Sequence, residues 1–513
     1  MKFTELELPF DEAENYLSRS NKSKLTEFFY QGEYFEKVKA DTTYYIIGEK
    51  GSGKTAYSVY FCNNTVERIR SKRYVISVDE YSKIIRMKCE GKLNYTHYVT
   101  LWKAVILIKL FASIEKNEVS SWGSNSYKKI KDLLRENQFT NFTQESFSPI
   151  YYMDNECFTV EQHVDLNIKP LASGVKGSAA YTNKESLNQQ VYFDNWTRFI
   201  NNITNDIISL RLNNHHYLFI DGIDSRPSDI LYEEYKECVY PLIRAVYDVN
   251  TEILSRIKER NKGRLQVVLL SRPDVFLRAG LSNPGSKIND NAVFLNWGFF
   301  KEEQYKSSSI YALINSVLKT GGSPSECMGW DSFFNYSPNS FVSILRNTTA
   351  KPRDFIKMFK IIQLQCKAEG NDTPSKAIVE SDYVKRAYST YFVDILRTAL
   401  SFYYNENDID NIFGFIRSIR RLKFTLSQFK EKYKNSPYLE ALSVIFKNEN
   451  ELLKLLFDFN MICIVEKGSY YRWKYRELTI ANYNYSLSVE TLSLSTCFRF
   501  HPALEKEFAL YLQ

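Results

Sequence analysis

The stretch Thr43-Tyr44-Tyr45-Ile46-Ile47-Gly48-Glu49-Lys50-Gly51-Ser52-Gly53-Lys54-Thr55 decides the fold. Its apolar opening, residues 43–47, reads as a short buried strand. The strand then breaks into a turn that fits G-x-x-x-x-G-K-[ST] from Gly48 to Thr55 without deviation. Glycines let the backbone curl until successive N–H groups point inward, which makes a cradle for phosphate oxygens. A helix expected from Lys54 to about Ile69 adds its positive N-terminal end. In such a loop Gly48, Glu49, Lys50, Gly51, Ser52 and Gly53 surround the phosphates. Lys54 reaches the outer ones, and the Thr55 hydroxyl ligates Mg²⁺.

A loop of this kind needs an acid on a neighbouring strand. Tyr217-Leu218-Phe219-Ile220-Asp221-Gly222-Ile223-Asp224 supplies one. Four apolar residues place Asp221 at the carboxyl end of a buried strand, where open α/β sheets bind ligands, so Asp221 is the expected Mg²⁺ residue. Asp224 is placed to orient or deprotonate an attacking water; the competing role is a cap on the next helix. The next apolar run ends in Ser271-Arg272-Pro273-Asp274, and Arg272 at that strand tip would face the γ-phosphate. Its competing role is an ion pair with Asp274. Further on, Lys351-Pro352-Arg353-Asp354 opens a helix, and Arg353 is either a lid arginine that senses nucleotide or part of a structural ion pair.

Other strands are expected at 74–78, 265–270 and 292–295, alternating with helices at 98–116, 193–210 and through Tyr240, Ile243, Val246 and Ile253. This alternation argues a three-layer α/β fold with a mainly parallel sheet. Val164, Leu166 and Ile168 alternate with Asp165, Asn167 and Lys169, so a β-hairpin insertion is expected at about 155–182.

At 513 residues the chain exceeds one hydrophobic core and should form two to four domains. Hydrophobic residues at 44% and charged residues at 25% exclude a fibrous or mainly disordered chain. The net charge of +7 permits nucleic-acid contact without arguing for it. Eight scattered cysteines and five histidines show no metal-ligand spacing, which argues against a zinc module or disulfide scaffold. The N-terminus is acidic and lacks an apolar signal core. The most apolar helical run, 98–113, is short and interrupted by Lys103 and Lys109, too little to span a bilayer. A reduced, cytoplasmic protein without a membrane partner is expected.

These motifs in this order resemble the ASCE division of P-loop ATPases. An extra strand, 74–78, lies between the phosphate-loop strand and the magnesium strand, as that division requires. The hhhhDGhD form of the second motif looks like STAND and KAP ATPases, relatives of AAA+ proteins, and Ser271-Arg272 resembles their sensor-1 arginine. The stretch from Asn296-Trp297 to Pro352-Arg353-Asp354 is similar to bacterial P-loop ATPases with a P-R-D lid motif and a closing F-x-h-H-P-A-L segment. Phe498-Arg499-Phe500-His501-Pro502-Ala503-Leu504 matches that segment. STAND proteins usually carry an acid directly after the second Asp, where Ser225 stands here.

The resemblance implies ATP and Mg²⁺ as cofactors, with slow hydrolysis serving a nucleotide-dependent switch or assembly scaffold. Such switches often act in bacterial defence against phage, so a homo-oligomer or a separate effector chain is the implied partner. The expected organisation is an N-terminal helical segment (1–40), the ATPase domain (41–300), a helical lid (301–398) and a winged-helix-like domain (399–513). In the last, a helix bearing Arg417, Arg420, Arg421 and Lys423 precedes two more helices. A hairpin at 461–465 and 470–475 follows, turning at Gly468. Its basic residues interleaved with Tyr470, Tyr471, Trp473 and Tyr475 suit nucleic-acid backbone. The competing function is therefore a nucleic-acid-binding ATPase of the initiator or loader type.

Overall fold

The computed structural model describes residues 2–90, 93, 97–137, 139, 148–153, 196–257, 263–281, 283–298, 301–322, 329–466, 470–479 and 482–511. Five strands form an all-parallel sheet: β1 (Tyr45–Gly48), β2 (Ile69–Val75), β3 (His215–Asp221), β4 (Leu265–Ser271) and β5 (Ala292–Leu295). Their order is β2-β3-β4-β1-β5. Every residue of β4 is buried, and so is every residue of β3 after His215. Interior parallel strands are covered on both faces, which is why their sequences are unbroken apolar runs. β2 instead alternates Ile69 and Ser71 inward with Arg70 and Lys72 outward, as suits a strand on the sheet edge.

Two sequence boundaries move. The helix expected to reach Ile69 is α1 (Lys54–Asn63), and Glu67 turns the chain at φ 55° so that Ile69 begins β2. The strand expected at 74–78 therefore starts at Ile69 and stops at Val75. Val78 opens α2 (Val78–Cys89), because Ser77 and Glu80 form a reciprocal capping box. In space β2 does not lie between the glycine-loop strand and the Asp221 strand; β4 does.

The chain divides into two compact units. Residues 41–45 and 61–284 form one, and residues 1–40, 46–60 and 285–513 form the other. In the first of these, α3 (Tyr98–Ala112) is apolar nearly all round and runs beside α4 (Tyr232–Asp248), with Trp102 Nε1 donating to the Cys238 carbonyl at 2.7 Å. Such a helix belongs in a core. No described helix is long and apolar enough to cross a membrane.

In the other unit, short helices at Lys22–Phe28 and Glu33–Lys39 stand where one longer helical segment was expected. Helices α5 (Pro352–Ala368) and α6 (Asp382–Leu400) pack on each other. An aromatic cluster of Phe3, Trp330, Phe334, Phe341, Phe355 and Phe359 fills the space under α5.

The C-terminal part combines helices Glu406–Ile419, Leu426–Lys434, Leu439–Ile445 and Glu449–Asp458 with a second, antiparallel sheet. Its strands β6 (Lys423–Thr425), β7 (Ile462–Val465), β8 (Tyr471–Arg472) and β9 (Cys497–Phe500) run in the order β6-β9-β7-β8. Of the basic residues assigned to one helix only Arg417 is helical. Arg420 caps that helix in the left-handed conformation, and Lys423 begins β6. The expected second hairpin strand is cut short at Arg472, since Lys474–Glu477 coils into a helix. The insertion expected at 155–182 and the turn at Gly468 lie outside the described residues.

Candidate functional site

The glycine loop leaves β1 at Gly48 and ends in the first turn of α1. Gly51 and Gly53 take φ of 87° and 97°, a region that side chains other than glycine rarely enter. Gly48 is required for room: a Cβ there would lie 2.4 Å from Ser52 Oγ and 3.1 Å from Leu295 Cβ. Lys54 is 7% exposed, and its ammonium folds back to donate to the Gly48 carbonyl at 2.8 Å. Ser52 Oγ is buried without a hydrogen-bond partner. Thr55 is half-buried one residue further into α1, and its carbonyl accepts from Ser58 Oγ.

The loop is held from outside by Trp297, whose Nε1 donates to the Ser52 carbonyl at 2.8 Å. It is also held by the turn that begins α5. Lys351 Nζ pairs with Glu49 Oε2 at 3.1 Å, and the Arg353 N–H reaches the Gly51 carbonyl at 3.4 Å. The Arg353 guanidinium goes to the N-terminal segment, donating to the Asp11 carbonyl at 3.1 Å and to Glu12 Oε2 at 2.9 Å. That is the ion-pair alternative for this residue.

The same turn is clamped from its other side. Asp354 Oδ2 accepts from both the backbone N–H (3.0 Å) and the hydroxyl (2.6 Å) of Thr349, and Ala350 is held at φ 55°. His501, fully buried, accepts the Ala503 N–H at Nδ1, and its Nε2 lies 3.2 Å from the Thr348 carbonyl. Burial pushes the His501 ring down to about 3, so it is neutral and Nε2 carries the proton that it donates. It is sandwiched against Phe392 at 4.6 Å and Trp473 at 4.9 Å. The P-R-D and H-P-A-L motifs thus meet at residues 348–350.

In the unit of residues 41–45 and 61–284, Asp221 ends β3 with 8% exposure. Its Oδ1 accepts the Gly222 N–H at 2.8 Å and its Oδ2 accepts Arg73 NH2 at 2.9 Å. Asp224 Oδ1 accepts the backbone N–H of Arg272 at 2.9 Å. Asp224 thus supports the tip of β4, where Arg272 is the N-cap of helix Pro273–Arg278. The buried Arg272 side chain forms a two-pronged pair with Asp274, Nε to Oδ1 at 3.0 Å and NH2 to Oδ2. This is the competing role weighed for it.

Sequence reasoning missed Arg73, Lys351, Asp354 and Trp297 as site-shaping residues. Nothing local signalled Arg73: the expected strand began at residue 74, and only the pairing of β2 with β3 brings Arg73 to Asp221. A cleft of about 2080 Å³ in the unit that holds the glycine loop is lined by Trp297, Glu302, Arg346, Trp473 and Arg476 among others, but by no residue of Gly48–Thr55. It carries charges of both signs, so backbone geometry rather than cavity size singles out the glycine loop.

The two residues expected to hold Mg²⁺ fall in different units: Thr55 offers a hydroxyl in the unit of residues 1–40, 46–60 and 285–513, and Asp221 a carboxylate, whose oxygens already accept the Gly222 N–H and Arg73 NH2, in the other. Among the described residues no group of three or more His, Cys, Asp or Glu could hold a metal. No protein-family model matches the chain, and no curated protein matches it.

Proposed function

We propose that the protein binds ATP with Mg²⁺ through Gly48–Thr55 and hydrolyses it slowly, as a nucleotide-dependent switch. The observation that carries this reading is the loop itself: two left-handed glycines, a buried lysine turned back onto the loop and an orphaned serine hydroxyl, at the start of a helix. An ammonium that donates to a neutral carbonyl gains the attraction of an opposite charge when it turns to a phosphate oxygen instead. The parallel sheet adds support, since its strands end along one edge and open sheets of this class bind ligands there.

On this reading Lys54 holds the outer phosphates, and Thr55 and Asp221 hold the metal. A metal ion held there would offset negative charge that develops in transfer. Asp224 orients the attacking water while bracing β4, and Arg272 faces the γ-phosphate once released from Asp274. With Ser225 after Asp224, turnover is slow, which suits a switch whose output goes to another copy of the chain or to an effector protein, as in defence against phage. The C-terminal helices and small sheet act as a winged-helix-like module. The nucleic-acid reading is weaker, because the basic residues of its hairpin are engaged. Arg472 pairs with Glu466 at 2.5 Å, Lys474 with Asp458 at 3.0 Å and Arg476 with Glu302 at 2.7 Å.

The test is equilibrium binding of ATP with Mg²⁺ to the parent and to Lys54→Ala. Losing the charge-assisted phosphate contacts should weaken binding at least about a hundredfold, with the thermal melt unchanged. Equal affinity in the two proteins sinks the assignment.

A further inference from the structure

The N-terminal segment lies along α5, a helix of its own unit. Phe3 is fully buried against Phe333, Phe334 and Phe359, and Gln363 Nε2 on α5 donates to the carbonyls of Phe3 (3.0 Å) and Leu6 (2.9 Å). Arg353, Lys357 and Lys360 stand at i, i+4 and i+7 of the same helix and so share a face. All three turn to two neighbouring acids of the segment. Lys360 Nζ meets Asp11 Oδ1 at 2.7 Å, and Lys357 Nζ meets Oδ2 at 3.8 Å. Arg353 takes the Asp11 carbonyl and Glu12 Oε2. Residues 2–12 thus form a strap, fastened at Phe3 and again at Arg353.

The second fastening is the one that touches the glycine loop. The Arg353 N–H reaches the Gly51 carbonyl at 3.4 Å, and a Cβ on Gly51 would lie 3.3 Å from Arg353 Cβ and 3.6 Å from its Cδ. The side chain therefore leaves α5 alongside the loop before it turns to Glu12. Glu12 is 61% exposed, so water screens this pair and holds it weak. Phosphates in the loop would set a second anion beside the same guanidinium, a group that suits phosphate as well as carboxylate.

We propose that the strap is an autoinhibitory contact: Glu12 and nucleotide phosphates compete for Arg353, so the fastened strap weakens ATP binding and bound ATP loosens the strap. The proposal rests on the reading of Gly48–Thr55 as the phosphate site. The two effects are one coupling, and each requires the other. A purely structural pair predicts a different sign. Removing the Glu12 charge would then loosen the turn beside Gly51 and leave ATP affinity unchanged or lower.

The experiment measures ATP binding with Mg²⁺ by equilibrium dialysis, together with amide exchange at residues 10–17. There the Phe10 N–H is held by the Tyr16 hydroxyl at 2.9 Å and the Asn15 N–H by the Glu12 carbonyl at 3.3 Å. It uses the full chain as parent, Glu12→Gln, Arg353→Gln, the double variant and Glu7→Gln. Glu12→Gln should tighten ATP about two- to fivefold, the range that so exposed a pair allows. Glu7→Gln removes the same charge elsewhere on the strap and should match the parent. In the Arg353→Gln background, Glu12→Gln should bring no gain. ATP should quicken exchange at 10–17 in the parent. Affinity in Glu12→Gln that is unchanged or lower overturns the competition, and so does a gain that persists without Arg353 or appears equally in Glu7→Gln. Exchange at 10–17 that ATP leaves unchanged or slows overturns it as well. Any of these results in a parent that binds ATP leaves the nucleotide reading standing, whereas a parent that binds no ATP overturns that reading and the strap with it.

Discussion

His501 shows how a single residue can carry a pH dependence without any catalytic duty. Its ring is fully buried between Phe392 and Trp473, with both nitrogens in backbone hydrogen bonds. Burial lowers it to about 3 from an ordinary 6.5. The unfolded chain takes up a proton near pH 6.5 while the folded chain does not until about pH 3. The contribution of a neutral His501 is therefore complete above pH 6.5 and is lost as pH falls toward 3, at up to about 1.4 kcal/mol per unit. In His501→Gln this loss should vanish. Denaturant unfolding at pH 7.5, 6 and 5 checks it: the gap between parent and variant should narrow steadily with acid. Parallel loss in both would mean that the ring is solvated or already charged.

At this scale the sequence was readable wherever a residue type has few alternatives. Gly48, Gly51 and Gly53 were identified from spacing because the turn tolerates little else there. The partners of Asp221, Asp224 and Arg272 were not all readable. Arg73 and Asp221 are far apart in sequence, and only the strand register brings them together. The pairing of Arg272 with Asp274 is local and was visible beforehand.

Among the elements, the turn at 348–351 matters because it joins two sequence motifs to the glycine loop. Asp354, near the start of α5, holds both the N–H and the hydroxyl of Thr349, and Lys351 beside it grips Glu49. Removing the carboxylate in Asp354→Ala leaves the buried Thr349 N–H unsatisfied, a cost of about 1–3 kcal/mol. It also frees Ala350 from the left-handed conformation in which it is held. Amide exchange at 348–351 should quicken, together with a lower unfolding midpoint. Exchange there that matches the parent would assign the turn's order to its other contacts.

Element boundaries were legible in proportion to burial. β3, β4 and β5 carry apolar runs because both faces are covered, and the reading placed each within a residue or two. β2 was misplaced because half its residues point to solvent, and its apolar end runs directly into the Ser77 cap of α2. The hairpin expected in the C-terminal part is present as β7 and β8, its second strand shortened by the helix at Lys474–Glu477, but the strand on its other side was not foreseen. β9 arrives from the far end of the chain and pairs with β7, a long-range event that no local pattern announces.

For the whole molecule, the division into two units cuts across the motifs. The glycine loop falls in the unit of residues 1–40, 46–60 and 285–513, whereas Asp221, Asp224 and Arg272 fall in the other. Residues 48–55 are the segment to which the proposed function assigns the phosphates of ATP. The measurement that tests this most directly is amide hydrogen exchange with and without ATP and Mg²⁺, followed across the full chain. The account predicts slower exchange at residues 48–55, and no such change in Lys54→Ala. Exchange at residues 48–55 that ATP and Mg²⁺ leave unchanged would contradict it.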